Sequence, residues 1–599
     1  MRHTFFRSAL LFLFCLSAVS TLQAEDGSRL WLRYDSTVFN SMTLRIDSTM
    51  PLDDGYRIEG TTVCARTQQG LLYGKYAFLR GEKGESHPAF RLRILNHWDN
   101  LDGSIERGYA GNSIFWDDTP SLATVNAPLI RQYAEACASI GINGVVLNNV
   151  NASPDMLTRP YLNKVRAIAD LLRPWGIRVY LSVNFGSPKA LGQTSTADPL
   201  NPSVRLWWQK KTKEIYNLIP DFGGYLVKAN SEGQPGPFDY GRTHADGANM
   251  LADALRPFDG IVMWRSFVYG AKHKGEDRVK QAVSEFAELD GQFADNVILQ
   301  SKNGPLDFQP REPYAPIFDQ MKQTPQMVEL QITQEYLGQG DHLVFLAPMW
   351  KEFFSFVAPS RLVGVAGVAN VGLDRNWCGH HFAQANWYAF GRLAWNPSLS
   401  SRQIAEEWVT QTFAPAAQPL PVSVLVNMML RSREACVDYM MPLGLHHIFK
   451  FDHHMGPEPD GFKARYPIEW CPVYYHKADK QGIGFDRSSR GTGATLQYRE
   501  PYRTLYDSAA TCPERYLLWF HHLSWDYRTL SGRTLAEEID YRYARGVKEV
   551  EDFVKTWQQL KPAIDEQRWQ EVDDKLNRQL RDAREWQDVC TRYFRSFQK

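Results

Sequence analysis

The stretch Tyr225-Leu226-Val227-Lys228-Ala229-Asn230-Ser231-Glu232-Gly233-Gln234-Pro235-Gly236-Pro237 decides how this chain is to be read. A short apolar run, entered through Phe222-Gly223-Gly224, passes directly into a lysine and, four residues on, a glutamate. Gly233, Pro235, Gly236 and Pro237 exclude a regular element beyond it. The glutamate therefore belongs to a stiff loop just past the C-terminal end of a strand. In a parallel α/β protein that end of the strand is where ligands bind.

The same unit recurs on both sides. From 89 to 400 the chain repeats an apolar strand, a loop and an amphipathic helix. Strands are predicted over Phe90–Leu95, Ile142–Leu147, Ile177–Val183, Gly223–Val227, Gly260–Trp264, Asn296–Ser301, Met327–Ile332 and Leu362–Val371. Helical periodicity lies between them, over Leu129–Ser139, Leu162–Leu172, Val204–Leu218, Ala248–Leu255 and Val279–Phe293. Eight such units predict an α/β fold, a (β/α)8 TIM barrel. The alternative, an open doubly wound sheet, lacks a Gly-rich phosphate loop after its first strand.

The strand exits are polar. In order they carry Asn96 with His97, Asn148 with Asn149, Asn184, Lys228 with Glu232, Arg265, Lys302 with Asp307, Gln331 with Glu335, and Asn370. Lys228, Arg265 and Lys302 thus arrive with Glu232, Asp307 and Glu335 from four consecutive strands, and a barrel sends them to one mouth.

Outside the barrel, residues 25–88 read as a short α+β domain, with strands at Leu30–Tyr34, Met42–Ile46 and Gly55–Glu59 and a helix near Gln68–Leu79. Residues 401–599 read as a mainly helical domain, with a helix at Ser401–Phe413, a long charged pattern over Leu535–Gln598 and an irregular piece at His446–Gly493. Residues 1–24 read as a signal peptide: Arg2 and His3, an apolar run from Phe5 to Val19, then Ala24 at a cleavage point. That run is too short for a comfortable membrane span, so the mature protein is expected to be periplasmic or secreted. A net charge of zero offers no basic patch for nucleic acid or anionic membranes. The seven cysteines beyond Cys15 are scattered and form no disulfide framework, although one or two bridges would suit an oxidising compartment.

Paired carboxylates across a sugar-sized cleft are the equipment of glycoside hydrolysis: one protonates the leaving oxygen, the other activates water or attacks. Glu232 is the expected general acid, and Asp307 and Glu335 the expected base pair. Taken singly, each carboxylate is more often a solvated surface charge, but three at successive strand exits are harder to dismiss. Lys228, Arg265 and Lys302 read as counter-ions for these acids or as a grip on an anionic sugar. Asn149 is a further candidate for substrate binding. Trp116 is a candidate stacking wall, with a core position as its alternative. The histidines from His446 to His522 match no zinc spacing, and no metal or other cofactor is expected.

Three long runs carry a resemblance: Asn96-His97-Trp98-Asp99-Asn100-Leu101-Asp102-Gly103 with Ile105-Glu106-Arg107-Gly108-Tyr109-Ala110-Gly111, Lys228 to Pro237, and Asp239 to Asn249. Lys302 to Pro313, Ile332 to Gly338, and Asn370 to Trp377 with His380-His381 extend it. Together they resemble the α-glucuronidases of glycoside hydrolase family 67. The resemblance implies a barrel between a small α+β domain and a helical domain, the last often making a homodimer. It also implies an inverting enzyme that removes (4-O-methyl)glucuronic acid α-1,2-linked to the non-reducing-end xylose of xylo-oligosaccharides. By position, Glu232 matches the family's general acid, Asp307 and Glu335 its water-activating pair, and Lys228, Arg265 and Lys302 its uronate grip. One departure is plain: the N-terminal domain is about half the family's usual length. The rival readings are a barrel hydrolase acting on another uronic or acetamido sugar, an inactive carbohydrate-binding relative, and a lyase.

Overall fold

The computed structural model describes residues 25–598 apart from 35, 118–124, 268–274, 414–418 and 452. The signal peptide read over 1–24 lies outside the described residues. The N-terminal region pairs β1 (Thr43–Ile46), β2 (Tyr56–Glu59), β3 (Thr62–Ala65) and β4 (Gly84–Ser86) in the order β1-β3-β2-β4, beside a helix at Gln68–Leu79. Thr67 starts that helix by accepting the Gly70 N–H at 2.9 Å. The run Leu30 to Tyr34 is no strand. Leu30 and Trp31 are apolar because they plug the outside of the barrel: both are fully buried, and the Trp31 indole donates to Ser139 Oγ at 2.8 Å.

Eight parallel strands then close on themselves: β5 (Leu92–Asn96), β6 (Gly144–Val146), β7 (Arg178–Ser182), β8 (Gly224–Val227), β9 (Ile261–Arg265), β10 (Val297–Lys302), β11 (Gln326–Gln331) and β12 (Gly364–Val368). All eight overlap the predicted runs, and β12 pairs with β5 to complete a (β/α)8 barrel. Strand parity explains the two apolar layers. Val145, Leu181, Tyr225, Val227, Val262, Trp264, Leu299, Val328 and Leu330 belong to the main core, where the surrounding helices pack. Ile94, Val146, Tyr180, Leu226, Met263, Ile298, Met327 and Ala366 fill a separate interior cluster inside the barrel.

That parity places the chemistry. Two residues beyond inward Leu226 comes Lys228, two beyond Met263 comes Arg265, and two and four beyond Ile298 come Gln300 and Lys302. Met327 is likewise followed at the same parity by Glu329 and Gln331. The register sets Arg265 beside Gln300 and Lys302 beside Glu329.

The helices Ala127–Ser139, Arg159–Leu172, Pro202–Leu218 and His244–Leu255 lie where periodicity put them. The predicted helix Val279–Phe293 is instead broken into Arg278–Lys280, Gln281–Phe286 and Ala287–Leu289. Asp290 leaves the helix to accept the backbone N–H groups of Lys322, Gln323 and Thr324, and Gly291 follows at φ 79°. In the C-terminal region Ser401–Phe413 and Val422–Met440 precede two long helices, Leu535–Leu560 and Glu566–Arg595. The single pattern predicted over 535–598 is split at Lys561-Pro562, since proline cannot continue the hydrogen-bond ladder. Cys64, Cys137, Cys378, Cys436, Cys471, Cys512 and Cys590 are all free and buried. No helix among the described residues is long and apolar enough to cross a membrane.

Candidate active site

The loop after β8 is stiff, as its glycines and prolines require. Asn230 and Glu232 both adopt left-handed backbone conformations, at φ 52° and 49°, which costs a residue with a side chain about 1–2 kcal/mol. Asn230 supports the strained turn: its Oδ1 accepts the Phe238 N–H at 3.0 Å and its Nδ2 donates to Asp239 at 3.0 Å. Glu232 is thereby held over the mouth, its side chain 41% exposed, in an ion pair with Lys228.

Each of the three strand-end cations has its own carboxylate. Lys228 donates to Glu232 and, at 2.9 Å, to Asn151 Oδ1. Arg265 grips Glu329 with two hydrogen bonds of 2.8 and 2.6 Å, both side chains being almost wholly buried. Lys302 donates to Asp307, and its ammonium lies 3.2 Å from the centre of the Phe267 ring. This corrects one sequence expectation. Arg265 is neutralised not by the three catalytic candidates but by Glu329, which lies inside β11 and was passed over because only residues beyond the strands were counted.

The charge pairs set the protonation states. Burial alone would raise Glu232, but the Lys228 charge and hydrogen bond override it and hold the carboxyl below its ordinary range. Burial would likewise raise Asp307, and Lys302, with the Tyr336 hydroxyl 2.5 Å away, holds it far below. Lys228 itself is lowered, burial outweighing the Glu232 charge.

Glu335 is tied to the same mouth through Arg107 and His454, which line it together with Glu232 and Asp307. Its Oε1 is 2.8 Å from both Arg107 Nε and His454 Nδ1, and its Oε2 accepts the Gln331 amide at 2.7 Å. Asn149 reaches Glu106 at 2.7 Å, and Glu106 also accepts Asn151 at 2.8 Å, so Asn149 supports the Lys228 side of the mouth through a shared carboxylate. Trp116 does not line the mouth. It is 3% exposed, and its indole donates to the Leu147 carbonyl at 2.7 Å, which makes it a core residue. Trp98 is the aromatic at the barrel's inner end, its ring 5.8 Å from the Arg265 guanidinium.

The rim comes from the helical domain. Glu232, Asp307, Arg107 and Tyr336 share one cleft with Arg278, His447, Phe449, Phe451, His454 and Trp470. Phe451, Tyr466 and Trp470 stack in succession, with ring centres 4.8 and 5.9 Å apart, and Trp470 leaves 39% of its surface exposed. His447 and His454 stood out in the sequence only as histidines without zinc spacing, and Arg107 only within the family resemblance; Arg278, Phe449, Phe451 and Trp470 carried no signal, the last three being remote in the chain from every barrel strand.

Glu312 holds the Asp307 loop from beneath, accepting the N–H groups of Leu306, Asp307 and Gln309 at 2.7, 2.8 and 2.7 Å. Burial outweighs those three bonds and pushes its carboxyl up to about 7, from an ordinary 4.5. The protonated form is thus favoured by folding, so its stabilising effect is complete below about 4.5 and is lost as the pH rises through about 7. Glu312→Gln would set an amide donor against a backbone donor and displace Asp307. The expected outcome is a fall in kcat of about tenfold or more. The stability advantage of the wild type should also shrink as the pH is raised across that window, which thermal melts of both proteins check.

A closed parallel barrel with clustered carboxylates, paired cations and an aromatic rim at its C-terminal mouth defines a barrel glycoside hydrolase. Sequence comparison makes the assignment specific. The family model for the glycosyl hydrolase family 67 middle domain matches residues 75–377, and that for the family 67 C-terminus matches 378–599. The chain belongs to glycoside hydrolase family 67. Alpha-glucuronidase A of Emericella nidulans is 42% identical over 589 residues, covering 91% of this chain and 68% of its own length. Alpha-glucuronidase of Hypocrea jecorina is 40% identical over 585 residues, with the same coverage of 91% and 68%. A solved GH138 enzyme targeting pectin rhamnogalacturonan II shares the fold at 12% identity and a TM-score of 0.52, over 93% of this chain and 65% of that one.

Proposed function

We propose that the protein is an exo-acting, inverting α-glucuronidase. It removes (4-O-methyl)glucuronic acid α-1,2-linked to the non-reducing-end xylose of xylo-oligosaccharides during xylan breakdown, outside the cytoplasm. The observation that carries the reading is the row of cations ending three successive strands, Lys228, Arg265 and Lys302, each inward by strand parity. Such a row suits a sugar carboxylate, and the exposed face of Trp470 suits stacking on the xylose that leaves. The relatives' names supply the sugar and its anomer.

In this reading Glu232 protonates the glycosidic oxygen while a water, deprotonated at the Asp307 and Glu335 side, attacks the anomeric carbon from the opposite face. An acid must carry a proton, yet the Lys228 charge and hydrogen bond favour the ionised form of Glu232. A uronate carboxylate that engages Lys228 withdraws the charge that keeps Glu232 low, and the added anion favours uptake of a proton. Substrate binding therefore raises the acid. The basic limb of the kcat profile, which reports the complex, should lie at higher pH than that of kcat/KM, which reports the free enzyme. In Lys228→Gln the two limbs should converge. Coincident limbs in the wild type would remove this role for Lys228.

The test of the activity itself is incubation with xylotriose carrying 4-O-methylglucuronic acid on the terminal or on an internal xylose, with products weighed by mass spectrometry. Release from the terminal position alone is expected. Release of a neutral sugar, or of an unsaturated uronate as from a lyase, contradicts the proposal.

A further inference from the structure

The loop that completes the Glu335 side of the mouth comes from outside the barrel. Residues 448–451 run back against 456–458: Phe449 bridges Pro457, the Lys450 N–H donates to the Gly456 carbonyl at 2.9 Å, and the Phe451 N–H donates to Glu458 at 2.6 Å. Near the tip, His454 takes a left-handed backbone conformation at φ 54°. Gln339, on the loop after β11, donates to the neighbouring His453 carbonyl at 2.8 Å. The His454 ring stacks on Tyr336, with centres 4.6 Å apart at 26°. This clamps the imidazole so that its Nδ1 meets Glu335 Oε1 at 2.8 Å.

We propose that His454, supplied by the C-terminal domain, is a positioning residue that fixes Glu335 as the proton acceptor in the hydrolysis, leaving Asp307 to orient the water. The proposal rests on the glucuronidase reading and extends it to a division of labour between the two carboxylates. Asp307 is bound by a lysine on one oxygen and by the Tyr336 hydroxyl on the other, so taking a proton would strand a lysine that is only 6% exposed, whereas the cation beside Glu335, Arg107, is 35% exposed and water can take over its charge. Glu335 differs. Four lone-pair directions are open to a carboxylate; His454 takes one on Oε1, beside which Arg107 stands as an ion-pair partner, and Gln331 takes one on Oε2. The remaining direction, on Oε2, is the place for the attacking water. When the water's oxygen bonds to the anomeric carbon, its proton passes to Oε2, and the bond to the xylose oxygen breaks as Glu232 protonates it.

Arg107 alone would hold Oε1 loosely, because its side chain is 35% exposed and water competes for its guanidinium. His454, stacked and clamped, is the rigid donor. A rotation of the carboxyl that moves Oε2 by an ångström is enough to lower the rate about 10²-fold.

The experiment compares full-length wild type, His454→Ala and His454→Asn on an aldouronic oligosaccharide and on an aryl glucuronide with a good leaving group. The asparagine amide can place an N–H where the ring Nδ1 stood. His454→Ala should lower kcat at least tenfold on both substrates alike, since the water must be deprotonated whatever leaves, with KM within about threefold of wild type. His454→Asn should recover most of that loss, with melting temperatures matching. Glu335→Gln should be more damaging than Asp307→Asn. An active wild type whose His454→Ala variant keeps its kcat overturns this proposal alone. So does a His454→Asn as poor as His454→Ala at equal melting temperature, or an Asp307→Asn less active than Glu335→Gln. A wild type that cleaves neither glucuronide overturns the glucuronidase reading as well.

Discussion

Glu232→Gln is expected to lower kcat on aldouronic oligosaccharides about 10²- to 10⁴-fold, the range over which a positioned proton donor contributes. A xylose leaving group has a basic oxygen and needs that proton, whereas an aryl glucuronide with an acidic phenol does not. The same variant should therefore cleave the activated substrate within about tenfold of wild type. Lys228 should still bind the uronate, so KM is expected to change little. Parallel losses on both substrates would show that Glu232 holds the fold or the sugar and is not the acid. The contrast with His454→Ala, which should damage both substrates equally, separates the acid side of the mouth from the base side.

Arg265→Ala should produce two effects that a second substitution separates. Arg265 and Glu329 form a two-bonded ion pair that is almost wholly buried, and Gln300 adds a 2.5 Å bond to the same carboxylate. Removing one partner of such a pair costs about 3–5 kcal/mol, because the other charge is left buried and uncompensated. The variant should thus melt well below wild type and also lose the grip on the uronate. Sites built around a charged group reject analogues lacking its partner by factors on the order of 10⁴ or more. Wild type should accordingly prefer a glucuronide over the matched glucoside by that order in kcat/KM, and Arg265→Ala should lose most of the glucuronide rate while gaining nothing on the glucoside. Pairing Arg265→Met with Glu329→Met should restore the melting temperature without restoring activity. If the double variant regains both, Arg265 is a structural counter-ion. If wild type cleaves glucuronide and glucoside comparably, the cations do not select the substrate.

The barrel was legible because its strands are buried on both faces and so read as continuous apolar runs, with helical periodicity between them. The acids and cations at and beyond the ends of β8, β9 and β10 were legible because they interrupt those runs at the ligand-binding end. Glu329 escaped, although strand parity gives it away: it follows Met327 at the spacing that takes Ile298 to Gln300 and Lys302. Leu30–Tyr34 shows the reverse error, an apolar run that packs without pairing. Trp116 was misplaced because composition cannot tell a tryptophan stacking on sugar from one donating to a buried carbonyl. Which carboxylate His454 and Arg107 hold, and that Trp470 faces the cleft, were out of reach for another reason. Their roles depend on contacts such as His454 with Glu335, 119 positions apart, and no local pattern encodes such a distance.

The most direct test is proton NMR of the reaction in D₂O, watching the anomeric signals as an aldouronic oligosaccharide is consumed. A water held between the sugar and a base needs carboxyl groups about 6.5–9.5 Å apart, whereas a nucleophile and acid stand about 5–5.5 Å apart. The account predicts that β-(4-O-methyl)glucuronic acid appears first and mutarotates to the α form only afterwards. Initial release of the α anomer, or no release of uronic acid at all, would contradict it.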